Sequence, residues 1–287
     1  MKSKTSKVQN LDSPQHISLH INDGRSYATP WPKKALVTRP KPIKGTKITI
    51  LGCGTSSGVP LLACKCKVCT SRDPKNHRLR ASITIQVKDK ILLIDTSPDL
   101  RQQALKSKLK WIDAVLYTHP HADHLHGIDE LRSFNFIMAK RLPVYGSEWS
   151  INTILEKFDY IFKTTQVGGG KPKIDTHLIH GSRPILIEGI KVQPLELIHG
   201  QLPVYGYRVN GVAYITDCSY IPDRTMRHLK GLDVLILDCL RYRPHSTHLT
   251  VEQALVWARD IGAKKTYFTH MGHEIEYRRF FNTLPKN

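Results

Sequence analysis

The sequence predicts a mixed α/β protein made of two β-rich halves with covering helices. Apolar runs of strand length fall in two groups, one between residues 47 and 118 and the other between residues 190 and 269. Stretches of helical periodicity lie between strands, which asks for sheets covered by helices. With 287 residues, 40% of them hydrophobic, the chain can bury one substantial core.

Residues 1–46 read as a basic, Pro-containing N-terminal arm. Within residues 1–45, nine Lys and Arg stand against two Asp and Glu, with five prolines and little hydrophobic periodicity. Residues 47–287 form the globular domain, opening with a strand over 47–51. Further strands are expected at 82–87, 91–95 and 114–118, with an amphipathic helix over 98–108. Residues 147–183 read as a helix followed by a glycine run, Gly168 to Gly170, and a loop. In the second half, strands are expected at 190–198, 204–209, 212–216, 234–238 and 266–269. Thr250 is placed to cap a helix over 251–259 that Gly262 stops.

No apolar stretch approaches the ~18 residues of a membrane span, and no hydrophobic core of a signal peptide follows the basic start. The expectation is a cytoplasmic protein without a membrane partner. In a reducing compartment, closely spaced thiols hold metal more often than they pair. Of the six cysteines, Cys64, Cys66 and Cys69 cluster, whereas Cys53, Cys218 and Cys239 sit alone in apolar or turn contexts. The net charge of +19 favours an anionic substrate and would also attract nucleic acid, though much of it sits in the arm.

Directly after the strand at 114–118 come His119, His121, Asp123 and His124, an H-x-H-x-D-H run. On extended backbone, residues two apart point the same way, so His119 and His121 can grip one ion while Asp123 and His124 face a second. A catalytic zinc needs about three protein ligands, which leaves a position open for water. His199, Asp217 and His270 each follow a predicted strand, where a chain end can bring them to the same pocket.

This pattern resembles the metallo-β-lactamase superfamily over residues 47 to about 280. The resemblance implies a four-layer αβ/βα sandwich, two mixed β-sheets covered by helices. It places His119, His121 and His199 on one zinc, Asp123, His124 and His270 on the other, and Asp217 between them; manganese is an acceptable alternative there. A bridging Asp belongs to the phosphodiesterases and ribonucleases of the superfamily, so the resemblance implies phosphoester chemistry. Two cations a few Å apart would lower the pKa of the water between them and supply hydroxide.

Cys64, Cys66 and Cys69 with His273 make a Cys₃His set suited to a closed structural zinc. Together with the opening at residues 51–60, this is similar to the PhnP-like cyclic phosphodiesterases. His248, Asp238 and Asp123 are the candidate catalytic residues, His248 as proton donor to the leaving oxygen with Asp238 to orient it. Asp95 is expected behind the metal loop, and His245 reads as a surface loop histidine. The expected partner is a small anionic phosphodiester, cyclic or nucleotide-like. A tRNase Z-like ribonuclease and a non-hydrolytic PqqB-like binding protein are the alternatives; nucleic acid is a disfavoured partner, and a homodimer is compatible.

Overall fold

A computed structural model describes residues 31–164 and 170–285. The first sheet is formed by β1 (Thr46–Gly52), β2 (Ser82–Val87), β3 (Lys90–Ile94), β4 (Ala114–Leu116), β5 (Leu142–Gly146) and β6 (Ile174–Leu178) in sequential order. Pairing is antiparallel from β1 to β3 and parallel from β3 to β6. The second sheet runs β12-β11-β10-β9-β8-β7. Its strands are β7 (Ile185–Ile187), β8 (Ile190–His199), β9 (Leu202–Val209), β10 (Val212–Ile215), β11 (Val234–Asp238) and β12 (Lys265–Thr269).

Helices α1 (Leu100–Ser107), α2 (Ala122–Leu125), α3 (Leu131–Met138) and α4 (Glu148–Lys157) belong to the first half; α5 (Asp223–Met226), α6 (Val251–Ile261) and α7 (Tyr277–Thr283) belong to the second. None of the described helices is long and apolar enough to cross a membrane.

Strand alternation sorts the side chains into layers. Leu92 and Ile94 of β3 join Ile83, Ile85, Tyr207 and Tyr214 in the core between the sheets, whereas Leu93 joins Leu131, Phe134, Ile151 and Ile154 under the helices. On the far side, Leu235 and Leu237 of β11 meet Val251, Ala254 and Ile261 of α6. Fully burying each such side chain is worth roughly 1.5–3 kcal/mol. Helices, sheet, sheet and helices therefore stack as the expected four-layer sandwich.

Helix α6 begins and ends as its sequence predicts, with a reciprocal Thr250 and Gln253 capping box and Gly262 at φ 64°. Strands β5, β6 and β7 and helices α2, α3, α5 and α7 are additions to the sequence reading. Strand β5 carries Pro143 and ends in Gly146, β6 is an edge strand that buries only Ile174, and β7 has three residues, so none shows the pattern of a strand on its own. Gly168 and Gly169 of the expected loop, and residues 1–30 of the arm, lie outside the described residues.

Residues 31–45 contain no strand or helix and run across the first half. The Leu36 N–H donates to the Ile137 carbonyl, Arg39 pairs with buried Asp113 at 2.9 Å, and Trp31 meets Phe136 edge-on. The carboxyl ends of β3, β4, β10, β11 and β12, and the end of β8, come together at one rim. There lie Asp95, His119, Asp217, Asp238, His270 and His199.

Candidate dinuclear metal site

The H-x-H-x-D-H run changes conformation in its middle. His121 is extended, with φ −62° and ψ 153°, and α2 starts at Ala122. His119 and His121 therefore share a direction, and Asp123 and His124 project from the first helical turn. His119 Nε2 and His121 Nδ1 are 2.9 Å apart, and the His199 ring is centred 5.4 Å and 5.2 Å from theirs. One donor atom from each of the three lies within 4.8 Å of the others.

Asp123, His124, Asp217 and His270 form a second buried group by the same measure. The Asp217 carboxylate stands between the groups: Oδ1 is 3.2 Å from His124 Nε2, and Oδ2 is 3.3 Å from His270 Nε2 and 3.8 Å from His119 Nε2. His124 Nε2 is buried without a hydrogen-bond partner, although oxygens of Asp123 and Asp217 lie 3.1 Å and 3.2 Å away. A nitrogen lone pair left in this way among carboxylates fits a cation, and the imidazole and carboxylate donors suit zinc or manganese.

The rings are held from behind. Asp95 is fully buried; one oxygen accepts the Thr118 N–H, and the other receives the Thr118 hydroxyl and His124 Nδ1–H, both at 2.8 Å. His199 Nδ1 donates to the Thr247 carbonyl at 2.8 Å. Such partners fix tautomer and ring orientation, leaving the other nitrogen for the site. Asp95, Asp217 and His270 all have left-handed backbone, at φ 65°, 49° and 58°, a conformation that is costly for residues other than glycine and gathers at functional sites. Gly127 closes the loop against Thr96 and Ser97, where a Cβ would come within 1.9 Å of the Ser97 carbonyl oxygen.

The electrostatics divide the imidazoles. Burial and the neighbouring His124 hold His119 well below the ordinary histidine range. Burial also opposes charge on His124, but Asp217, Asp123 and Asp95 outweigh it and raise its pKa well above that range. In the metal-free protein, protons on His124 thus do part of what a cation would do.

His248 is nearly buried beside this centre. Its ring lies flat against His270, and its Nδ1 is 3.3 Å from Asp238 Oδ1, while the other Asp238 oxygen accepts the Leu249 N–H at 2.8 Å. His245 departs from the surface reading. It is half-buried with its ring 5.1 Å from that of His248, and its Nδ1 accepts from the Thr247 hydroxyl. The same Thr247 orients His199, so residues 245–248 form one turn serving both histidines.

The cysteine triplet closes on His273 Nδ1 at 3.3 Å from Cys64, 3.6 Å from Cys66 and 3.4 Å from Cys69. The Cys69 N–H brings the Cys66 thiol down to about 6, whereas burial pushes Cys69 up to about 11. Four donors converge here, as a tetrahedral structural zinc requires. Every residue named in the sequence as a ligand is thus found in one of the three groups.

Two further residues near the site carry little sequence signal. Arg78 is buried behind the loop that bears His270 and His273, and Trp149 stands beside His121. An aromatic two residues after the helix cap Ser147 is the only hint of the latter.

A profile of the beta-lactamase superfamily domain matches residues 90–271. A diphosphatase of the PhnP family, known from a crystal structure, is 42% identical, with a TM-score of 0.79 over 84% of this chain and 92% of that one. The chain belongs to the PhnP family of metallo-β-lactamase-fold hydrolases. An octanoyltransferase of Porphyromonas gingivalis is 37% identical over 78% of this PhnP-family chain, which spans only 45% of that relative's length. Zinc-bound PqqB from Methylobacterium extorquens shares the fold at a TM-score of 0.67 and 19% identity, over 82% of this chain and 94% of that one.

Proposed function

We propose that this PhnP-family protein is a dizinc-dependent phosphodiesterase acting on a small cyclic or nucleotide-like phosphodiester. The observation that supports it most is the Asp217 carboxylate, reaching His124 and His270 on one side and His119 on the other within 4 Å. His119, His121 and His199 would hold one ion and Asp123, His124 and His270 the other, with Asp217 shared; Cys64, Cys66, Cys69 and His273 would hold the structural zinc. When bound, the two ions supply Lewis acidity and an activated water at phosphorus.

The chain's own groups complete the chemistry. Asp238 Oδ1 lies 3.3 Å from His248 Nδ1 and turns Nε2 toward the site, 3.9 Å from Asp217 Oδ2. From there a protonated His248 hands its Nε2 proton to the departing alkoxide, which is otherwise a poor leaving group. Asp123 couples the metal loop to the His270 loop, its Oδ2 lying 3.3 Å from His270 Nε2. The net charge of +19 favours an anionic substrate.

A second reading, hydrolysis of a diphosphate linkage, is favoured by the 42% identical PhnP-family diphosphatase. The two differ in the leaving group, since a phosphate leaves without a proton donor more readily than an alkoxide does. The test is to count zinc in the purified protein and assay bis(p-nitrophenyl) phosphate, 2′,3′-cyclic nucleotides, ribose cyclic phosphate, a dinucleoside diphosphate and precursor tRNA in parallel. Turnover of the diphosphate alone, or of tRNA alone, replaces the small-phosphodiester reading, and no turnover by fully loaded protein overturns it.

A further inference from the structure

Trp149 is the exposed one of the four tryptophans, 37% exposed where Trp111 is 8% exposed and Trp31 and Trp257 are half-buried. It enters at the second position of α4, whose cap Ser147 accepts the Ser150 N–H. The helix is anchored elsewhere, through buried Ser150, Ile151, Thr153 and Ile154. Helix packing therefore does not require the indole, and its placement asks for another account. Its ring is centred 5.7 Å from that of His121 and 6.5 Å from that of His119. His121 is itself half-buried, so the indole stands at the mouth of the site and not behind it.

Resting on the proposed phosphodiesterase reading, we infer that Trp149 is a stacking platform for a planar ring on the substrate, so that this site selects base-bearing phosphodiesters over base-free ones. An indole that stays 37% exposed beside a polar anion-binding centre gains by covering its remaining apolar surface with another π-system, whichever base that is. The His121 ring stands at 88° to the indole in a T-shaped pair, so the two rings do not stack. Across the mouth, the site is lined by imidazoles and carboxylates, which serve phosphate and not a heterocycle. Trp149 acts here as a specificity residue: it touches substrate, with no part in bond making.

The experiment compares wild type, Trp149→Phe and Trp149→Ala on a matched pair, 2′,3′-cyclic AMP and ribose cyclic phosphate. The ratio of kcat/KM for the two should fall on the order of 10-fold in Trp149→Ala, with the loss in KM, and be largely restored in Trp149→Phe. A binding readout runs beside it: 2′-AMP should quench indole fluorescence in wild type but not in Trp149→Phe, and ribose 5-phosphate should quench neither. An equal fall on both substrates would mean that the indole only props His121, and kcat/KM unchanged on both would mean that it touches nothing; either overturns the inference. If neither ester is turned over but 2′-AMP still quenches Trp149, the phosphodiesterase reading fails and the platform stands.

Discussion

The His248 ring lies on the His270 ring, their centres 4.6 Å apart and their planes 11° from parallel. The two imidazoles have different neighbours. His270 Nε2 faces Asp123 and Asp217, each with an oxygen 3.3 Å away, whereas His248 Nδ1 faces Asp238. His248→Ala should therefore keep both ions and lose about 10²–10⁴ in kcat on substrates with an alkoxide leaving group. Activated p-nitrophenyl esters should suffer much less. Zinc content with kinetics on both substrate types checks this, and equal activity of variant and wild type would remove His248 from the reaction.

The cysteine cluster predicts a different pattern. Cys66→Ala takes away the thiol that the Cys69 N–H holds below the usual cysteine range and leaves Cys64, Cys69 and His273 as an incomplete tetrahedron. The expected result is loss of one zinc equivalent and a lowered Tm, because an ion held there would tie the loop after β1 to the loop after β12. Turnover measured well below the new Tm should fall less than it does in Asp217→Asn, which disturbs both catalytic positions. Metal analysis and thermal melts on the two variants decide it.

The site was more legible in the sequence than its surroundings. His119, His121, Asp123 and His124 declare themselves because four of the seven candidate ligands fall within six residues, and His199, Asp217 and His270 because each falls at the end of a strand. The three cysteines are readable for the same reason. What failed was whatever depends on packing between distant segments. Strand β6 is an edge strand whose sequence buries one side chain, so no alternation marks it. His245 does lie in a loop, as read, but its partial burial and its tie to the site depend on Thr247, whose carbonyl turns toward His199. Trp149 needed α4 to be placed beside His121 before it meant anything.

The protonation pattern of the metal centre makes a pH prediction. Burial disfavours charge on His124 and His270, yet Asp217, with the other carboxylates, raises both pKa values above the ordinary range. The folded value thus exceeds the unfolded one of about 6.5. These protons stabilise the metal-free fold fully below that pH, and the contribution is lost as pH rises through the folded value. A bound cation displaces them, so apparent metal affinity climbs with pH. EDTA-treated protein should melt at a lower temperature at about pH 9 than at about pH 7, and metal-loaded protein should not show that drop. A metal-free Tm that stays level across this window would contradict the assignment.

Arg78 connects the two candidate metal sites. It is 4% exposed, and its guanidinium donates to the Gly272 carbonyl at 3.1 Å and the Ile275 carbonyl at 2.6 Å. No described carboxylate forms an ion pair with it, so burial alone lowers its pKa and the two carbonyls carry its solvation. Those carbonyls flank His273, and His270 lies in the same loop, next to Met271, whose N–H donates to the Cys53 carbonyl. A planar fork can hold both carbonyls at once; a lysine ammonium cannot reproduce that geometry. Arg78→Lys should therefore cost about 1–3 kcal/mol, a drop in Tm of roughly 2–4 °C for each kcal/mol. Because one loop bears ligands of both sites, zinc should be lost from the Cys₃His cluster and from the dinuclear centre together. Thermal melts with metal analysis test this, and a variant that lost only the cluster zinc would show that the loop moves as two independent halves.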